Sequence, residues 1–158
     1  MMNCTEVPAE SALEFWSEVE PFVIRALAYD EMNSTSTGKL RDQVSTGFAR
    51  VLVCSDDDKL ISATIVQLHK NVLDERILHV VATAGADGDD WFPILCEGLK
   101  DMARAEECDA ITMSGRPGWA RKLTHYGFKT DHVHMRMNCD GRSKQIGVGV
   151  DTGLVVVR

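Results

Sequence analysis

The sequence has no run of about 18 apolar residues, the length that an apolar helix needs to cross a bilayer. Its first residues, MMNCTEVPAES, contain neither a basic start nor an apolar stretch, and we therefore expect no signal peptide. Basic residues are also scarce, with 17 Lys and Arg against 24 Asp and Glu, and the formal charge is −7. Because nucleic-acid phosphates are bound by clustered basic residues, we expect no direct nucleic-acid binding.

The sequence also lacks a P-loop, the Ser-His-Asp spacing of hydrolases and any C-x-x-C pair. Its cysteines are odd in number and widely spaced: Cys4, Cys54, Cys96, Cys108 and Cys139. We expect reduced thiols, because isolated cysteines of this kind are typical of cytoplasmic proteins. The alternative is a bridge to a partner from Cys4 or Cys139, which lie near the chain ends.

The 158 residues, 44% of them hydrophobic, are enough for one domain with a hydrophobic core. The pattern Ser11-Ala-Leu-Glu14 is typical of a capping box and predicts the start of an amphipathic helix. Its apolar stripe continues from Trp16 to Leu27, and Pro21 predicts a kink or a second start. Thr37 is the predicted cap of a short helix over 38–46.

Three strands are predicted next, over 48–54, 60–69 and 76–83, and the first two form a hairpin. Apolar residues occupy both faces of 60–68, which indicates a central strand. A helix over 91–107, a strand over 110–113, a short helix starting at Pro117 and a strand over 132–138 follow. Gly127 is the predicted stop of the short helix, which lets Phe128 fold back onto Leu123. This order predicts a mixed α/β sheet with helices on its faces.

The C-terminal segment, residues 139–158, is too apolar for a solvated extension. It contains two strand-prone stretches, over 146–150 and 154–157. We expect a domain over 1–138 and an extension over 139–158, which either closes an edge of its own sheet or adds a strand to a partner.

The order of elements resembles the fold of the GNAT family, the Gcn5-related N-acetyltransferases, over most of the chain. The ending Tyr126-Gly127-Phe128 resembles the "GF" boundary before the last strands of that family. The stretch over 91–128, which includes GRPGWAR, is similar to GNAT-like proteins encoded by tailed bacteriophages. The resemblance implies a twisted, mostly antiparallel α/β sheet with helices on both faces.

In active members of that family, N–H groups of a glycine-rich loop before a helix hold the diphosphate of acetyl-CoA, as helix N-termini hold anions generally. The equivalent loop here offers Gly85, Ala86 and Gly88 as candidate cofactor-binding residues. The same loop carries no basic residue and contains three carboxylates, those of Asp87, Asp89 and Asp90. We expect these carboxylates to cap the following helix rather than hold a cation, and to disfavour the cofactor.

The family often uses a tyrosine, about five residues before the "GF" phenylalanine, as the general acid. That position is Leu123, which cannot transfer a proton. Tyr126 and His125 are the remaining candidate catalytic residues. His132 and His134 share a face of a predicted strand, but no third ligand is evident, and we predict no metal site.

Two hypotheses result. In the first, the protein is catalytically degenerate, uses no cofactor and acts through protein contacts or self-association, for which residues 139–158 are the candidate segment. It would be a structural or interaction component of a phage particle or of its assembly, in the host cytoplasm or the virion. In the second, it is an acetyl-CoA-dependent N-acetyltransferase with a divergent cofactor loop.

Overall fold

A computed structural model of the protein describes residues 1–28, 35–115, 117–135, 137, 139 and 153–157. The strands are β1 (Met2–Val7), β2 (Ala49–Asp56), β3 (Lys59–Lys70), β4 (Arg76–Gly85), β5 (Ala110–Gly115), β6 (Thr130–Met135) and β7 (Gly153–Val157). The helices are α1 (Ala9–Ala12), α2 (Trp16–Leu27), α3 (Thr37–Ser45), α4 (Trp91–Ala105) and α5 (Pro117–Thr124). Within this described part, no helix is long and apolar enough to span a membrane.

The seven described strands form one sheet in the order β1-β2-β3-β4-β5-β7-β6. Only β4 and β5 are parallel, and all other neighbours are antiparallel. One face packs against α4 and α5, through a cluster that includes Phe92, Leu95 and Leu123. The other face packs against α1, α2 and α3, through a cluster that includes Trp16 and Leu40. The predicted fold class is therefore confirmed, and β3 is an inner strand buried on both faces, as its apolar pattern predicted.

The N-terminal region differs from the prediction in two respects. Residues 2–7 form β1, an edge strand that the sequence did not predict, and it pairs with β2. Ser11 is not a helix cap, because it lies inside α1, and its N–H donates to the carbonyl of Pro8. The long helix starts at Trp16 and contains Pro21 without a second start.

Helix α3 begins one residue earlier than predicted. Its cap is Ser36, whose extended backbone lets the side-chain oxygen accept a hydrogen bond from the N–H of Lys39 at 3.2 Å. The prediction that Thr37 is the cap is therefore wrong, because Thr37 is already the first helical residue. Gly47, at φ +80°, follows the end of this helix.

The C-terminal strand β7 lies between β5 and β6 and pairs with both. The predicted stretch over 154–157 is therefore a strand of the protein's own sheet, whereas the stretch over 146–150 lies outside the described residues. The division of the chain into a domain and an extension at residue 138 remains a prediction.

Candidate functional site

The parallel strands β4 and β5 are paired over only part of their length and then separate. Their register runs from Ile77 opposite Ala110 to Val80 opposite Met113. Beyond this point no pair joins the two strands within the described part of the chain, although β4 continues to Gly85. A register shift in β4 opposite Ile65 and Val66 lies next to the parting. The result is a fork at the carboxyl ends of two parallel strands, a place where open α/β sheets commonly bind ligands.

The loop that follows β4 is folded around the side chain of Trp91, the first residue of α4. The indole N–H donates to the carbonyls of Ala86 and Gly88, at 3.2 and 3.1 Å. The ring also covers Gly85, where an added Cβ would lie 2.3 Å from Cε2 of the indole. Trp91 is only 5% exposed. The glycine at position 85 is therefore required by the tryptophan that lies on it.

The backbone N–H groups of this loop are partly used within the protein. The N–H of Ala86 donates to the carbonyl of Ile61 at 2.8 Å, and that of Phe92 donates to the carbonyl of Asp89 at 3.0 Å. Pro93, in the first turn of α4, has no N–H. The N–H groups of Ala86 and Phe92 are therefore unavailable to an anion at the start of α4, where a helix otherwise offers free donors.

The three loop aspartates are exposed at the start of α4. Asp90 precedes the helix but makes no side-chain cap hydrogen bond, so its predicted capping role is wrong. The reason is its helical backbone, at φ −64° and ψ −27°, whereas a capping residue is extended. Asp89 instead accepts a hydrogen bond from Nζ of Lys122 in α5, at 2.5 Å. The nearby cation is thus paired with a protein carboxylate.

The position of the expected general acid is apolar and inaccessible. Leu123 belongs to α5, is 1% exposed and points into the core. Gly127 adopts φ +91°, and the N–H of Phe128 donates to the carbonyl of Leu123 at 3.3 Å. The predicted helix stop and the return of Phe128 onto Leu123 are confirmed.

The structure places the candidates Tyr126 and His125 in the turn after α5. The ring of Tyr126 packs edge-on against Phe92, with centroids 5.1 Å apart. It lines a cavity of about 340 Å³ between the second half of α4 and the start of β5, at the opposite end of β5 from the fork. His125 is exposed to solvent. The structure therefore places neither Tyr126 nor His125 at the fork between β4 and β5.

One residue near the fork was not predicted as functional. His79 lies on β4, one pair before the last pair that joins β4 to β5. Its Nδ1 lies 2.7 Å from the hydroxyl oxygen of Thr112 on β5, and its ring centroid is 6.1 Å from that of His69. Burial lowers the pKa of His79 below its usual value, and the neighbouring His69 adds to this effect. A neutral imidazole in this place is able to accept a proton.

Other predicted candidates form no site among the described residues. No group of three or more His, Cys, Asp or Glu side chains in this part of the chain is arranged to hold a metal ion. His132 and His134 lie on β6, but their side chains are outside the described set.

No protein-family model matches the sequence, and no curated protein matches it. Solved structures do match the fold. An N-acetyltransferase from Staphylococcus aureus has a TM-score of 0.70 at 10% identity, over 99% of this chain and 96% of that one. A Bacillus subtilis acetyltransferase in complex with CoA has a TM-score of 0.66 at 10% identity, over 99% and 97%. A GNAT family acetyltransferase from Elizabethkingia anophelis with acetyl-CoA bound has a TM-score of 0.67 at 12% identity, over 99% and 95%. The chain has the GNAT fold.

Proposed function

We propose that this protein is a catalytically degenerate member of the GNAT fold that acts through protein contacts. The observation that carries this proposal is the loop before α4, whose polar groups are partly used within the protein and which carries three carboxylates. The carbonyls of Ala86 and Gly88 bind the indole of Trp91, and the N–H of Ala86 is bound to Ile61. The residues at this place therefore do not fit acetyl-CoA, and we expect no cofactor.

The negative charge of the same loop also disfavours the diphosphate of acetyl-CoA. Asp87, Asp89 and Asp90 are exposed around the start of α4, and Lys122 is paired with Asp89. Each contact between like charges at about 4 Å costs roughly 1–4 kcal/mol, depending on the local dielectric. A diphosphate would meet several such contacts, which is enough to remove a micromolar affinity of about 8 kcal/mol.

We place this function in a phage particle or in its assembly, which means the host cytoplasm or the virion. The support is the similarity of residues 91–128 to GNAT-like proteins of tailed bacteriophages. Mass spectrometry of purified particles and of assembly intermediates tests this part. We expect the protein at a fixed copy number in one of them, and its absence from both would contradict a structural role.

A surface for such contacts lies along β6, the last strand in the sheet order. Val133, Met135 and Met137 are 55%, 81% and 84% exposed. Alternate residues of a strand share a face, so Val133 and Met135 form an apolar row at a sheet edge. This row is the candidate contact region for a protein partner or a second copy of the chain.

The absence of cofactor binding is tested by titrating the purified protein with acetyl-CoA to millimolar concentration, by calorimetry and thermal shift. We expect no saturable heat and no change in Tm. A ligand at 100 times its Kd stabilises by about 2.7 kcal/mol, which corresponds to a rise of roughly 5–10 °C in a domain of this size. A saturable heat together with such a rise would overturn the proposal.

The second candidate function is an acetyl-CoA-dependent N-acetyltransferase with a divergent cofactor loop. It is favoured by the fork between β4 and β5 and by the half-buried His79 beside it. Assays of acetyl transfer to a panel of primary amines test it. Turnover that falls at least about tenfold in His79→Gln, with Tm retained, would support this function. No turnover with any amine would reject it.

A further inference from the structure

Two cysteines face each other directly across the first two strands of the sheet. Cys4 on β1 is paired in register with Cys54 on β2. Directly opposed residues of antiparallel strands have Cα atoms about 4.5–5.5 Å apart, which lies within the range of about 4.4–6.8 Å found in disulfides. Both side chains lie on the face covered by α4. Both thiols are free in this structure.

The two thiols also influence each other's ionisation, because their interaction raises the pKa of Cys4, together with burial, and lowers the pKa of Cys54 to about 7. The pair therefore loses its first proton close to neutral pH, and a thiolate is the reactive form in disulfide exchange. In contrast, burial raises the pKa of Cys96, the third cysteine on this face, to about 11.

The surroundings of the pair leave room for the sulfur atoms. A Cβ added to Gly98 of α4 would lie 2.5 Å from Sγ of Cys4, so that glycine is the residue that lets this sulfur fit beneath the helix. Ser62 on β3 is paired in register with Cys54 and is fully buried. Its hydroxyl makes no hydrogen bond within the described residues. A donor is thus available beside Cys54 for a thiolate that forms during exchange.

The two thiols differ in their access to solvent. Cys54 is fully buried, whereas Cys4 is half-buried on β1, at the edge of the sheet. Cys4 is the more exposed of the two residues, so a small molecule meets it first, and Cys54 lies opposite it in register. This is the arrangement of an attacking cysteine and a resolving cysteine.

We propose that Cys4 and Cys54 form a site of reversible oxidation that reacts with low-molecular-weight disulfides of the glutathione type. Cys4 passes its proton to the thiolate of Cys54 as its sulfur attacks one sulfur of the disulfide, which forms a mixed disulfide and releases one thiolate, and this thiolate takes the proton from Cys54. The thiolate of Cys54 then attacks the sulfur of Cys4, forms the Cys4–Cys54 bond and releases the second thiolate. The two released thiolates take up the two protons lost by the cysteines, so that two cysteines are oxidised and one disulfide is reduced. The new bond fastens β1 to β2.

The experiment treats the native full-length protein with excess oxidised glutathione, blocks free thiols with N-ethylmaleimide and maps the peptides by mass spectrometry. Before the blocking step, we expect the protein to be lighter than the untreated protein by two hydrogen atoms. In the peptide map, the peptides of Cys4 and Cys54 should be linked. The bond closes a long loop, so Tm should rise by roughly 5–15 °C and return after treatment with dithiothreitol. Cys4→Ser should not form the bond, and Cys54→Ser should stop at the mixed disulfide on Cys4.

Cys139→Ser is the matched control, because Cys139 is an exposed thiol, and this variant should form the same bond as the wild type. If Cys54→Ser fails to fold, the peptide map of the wild-type protein alone decides the question. Free Cys4 and Cys54 after treatment would overturn the proposal. In the wild-type protein, glutathione retained on Cys4, or a Cys4 that joins two chains on a non-reducing gel, would overturn it as well.

Discussion

The indole of Trp91 lies so close to Gly85 that an added Cβ would approach its Cε2 to 2.3 Å. The indole is held in place by hydrogen bonds to two loop carbonyls, and it cannot move aside without breaking them. We expect Gly85→Ala to lower the free energy of unfolding by about 1–3 kcal/mol, because overpacking of a buried contact costs that much. Chemical denaturation measures it.

The matched control is Gly118→Ala in α5, where the added Cβ would meet nothing within 4 Å. Alanine is preferred over glycine in helices, so this variant should be neutral or more stable by up to about 1 kcal/mol. Equal losses in the two variants would contradict the close contact of Trp91 with Gly85.

Ser36 is the cap of α3, and its neighbour Thr37 is not. We expect Ser36→Ala to cost about 1 kcal/mol, because the N–H of Lys39 loses its acceptor. Thr37→Ala should change the free energy of unfolding by less than about 0.5 kcal/mol. Urea denaturation of both variants measures the difference, and a larger loss in Thr37→Ala would place the cap where the sequence alone placed it.

Arg50 on β2 joins three parts of the chain. Its guanidinium binds both carboxylate oxygens of Glu6, at 2.6 and 2.8 Å, and one oxygen of Glu106 at 2.7 Å. These contacts raise the pKa of Arg50 further above its already high value. We expect Arg50→Met to cost about 1–2 kcal/mol, a modest figure because all three side chains are partly exposed to solvent.

Lysine should not restore this loss, since an ammonium cannot bind a carboxylate through two parallel hydrogen bonds. Thermal denaturation of Arg50→Met and Arg50→Lys at low and high salt makes the comparison. A fully stable Arg50→Lys protein would show that charge alone matters at this position.

His79 makes the stability depend on pH. Burial lowers its pKa in the folded protein below the usual value of 6.5, so the unfolded chain binds a proton more readily. The folded state therefore loses stability as pH falls below about 6.5, by at most about 1.4 kcal/mol per pH unit for this one group. Denaturation at about pH 7.5 and about pH 5.5 measures the loss, which should be smaller in His79→Gln.

The exposed His125 provides the control for this measurement, because its replacement by Gln removes a histidine that stays in solvent. His125→Gln should keep the pH dependence of the wild type. A pH dependence that is the same in His79→Gln and in the wild type would contradict the burial of a neutral imidazole at position 79.

Much of the fold was predictable because its signals are local. Leu95, Leu99 and Met102 recur at helical spacing and are buried on one face of α4. Gly127 stops α5 because a residue there needs a positive φ. Strand β1 was not predictable, since its stability comes from pairing with residues about fifty positions away in the chain.

The candidate site was predictable in its charge but not in its geometry. The aspartates after β4 are visible in the sequence, and so is the apolar Leu123. The contact of Trp91 with the loop carbonyls depends on the path of the backbone, which residue order does not show. The place of His79 beside the fork depends on the register between β4 and β5, which is set by long-range packing.

The sheet order affects the sequence in which the strands fold during synthesis on the ribosome. Strand β7 lies between β5 and β6, although it is synthesised after both of them. Until Val157 has left the exit tunnel, β5 and β6 lack the strand that pairs with both of them. Their unpaired backbone N–H and carbonyl groups must then be solvated by water. The first four strands and their helices can assemble early, whereas this half of the sheet closes only after β7 has been synthesised. A stalled nascent chain that lacks β7 should therefore be protected from protease in its first half and cleaved after α4.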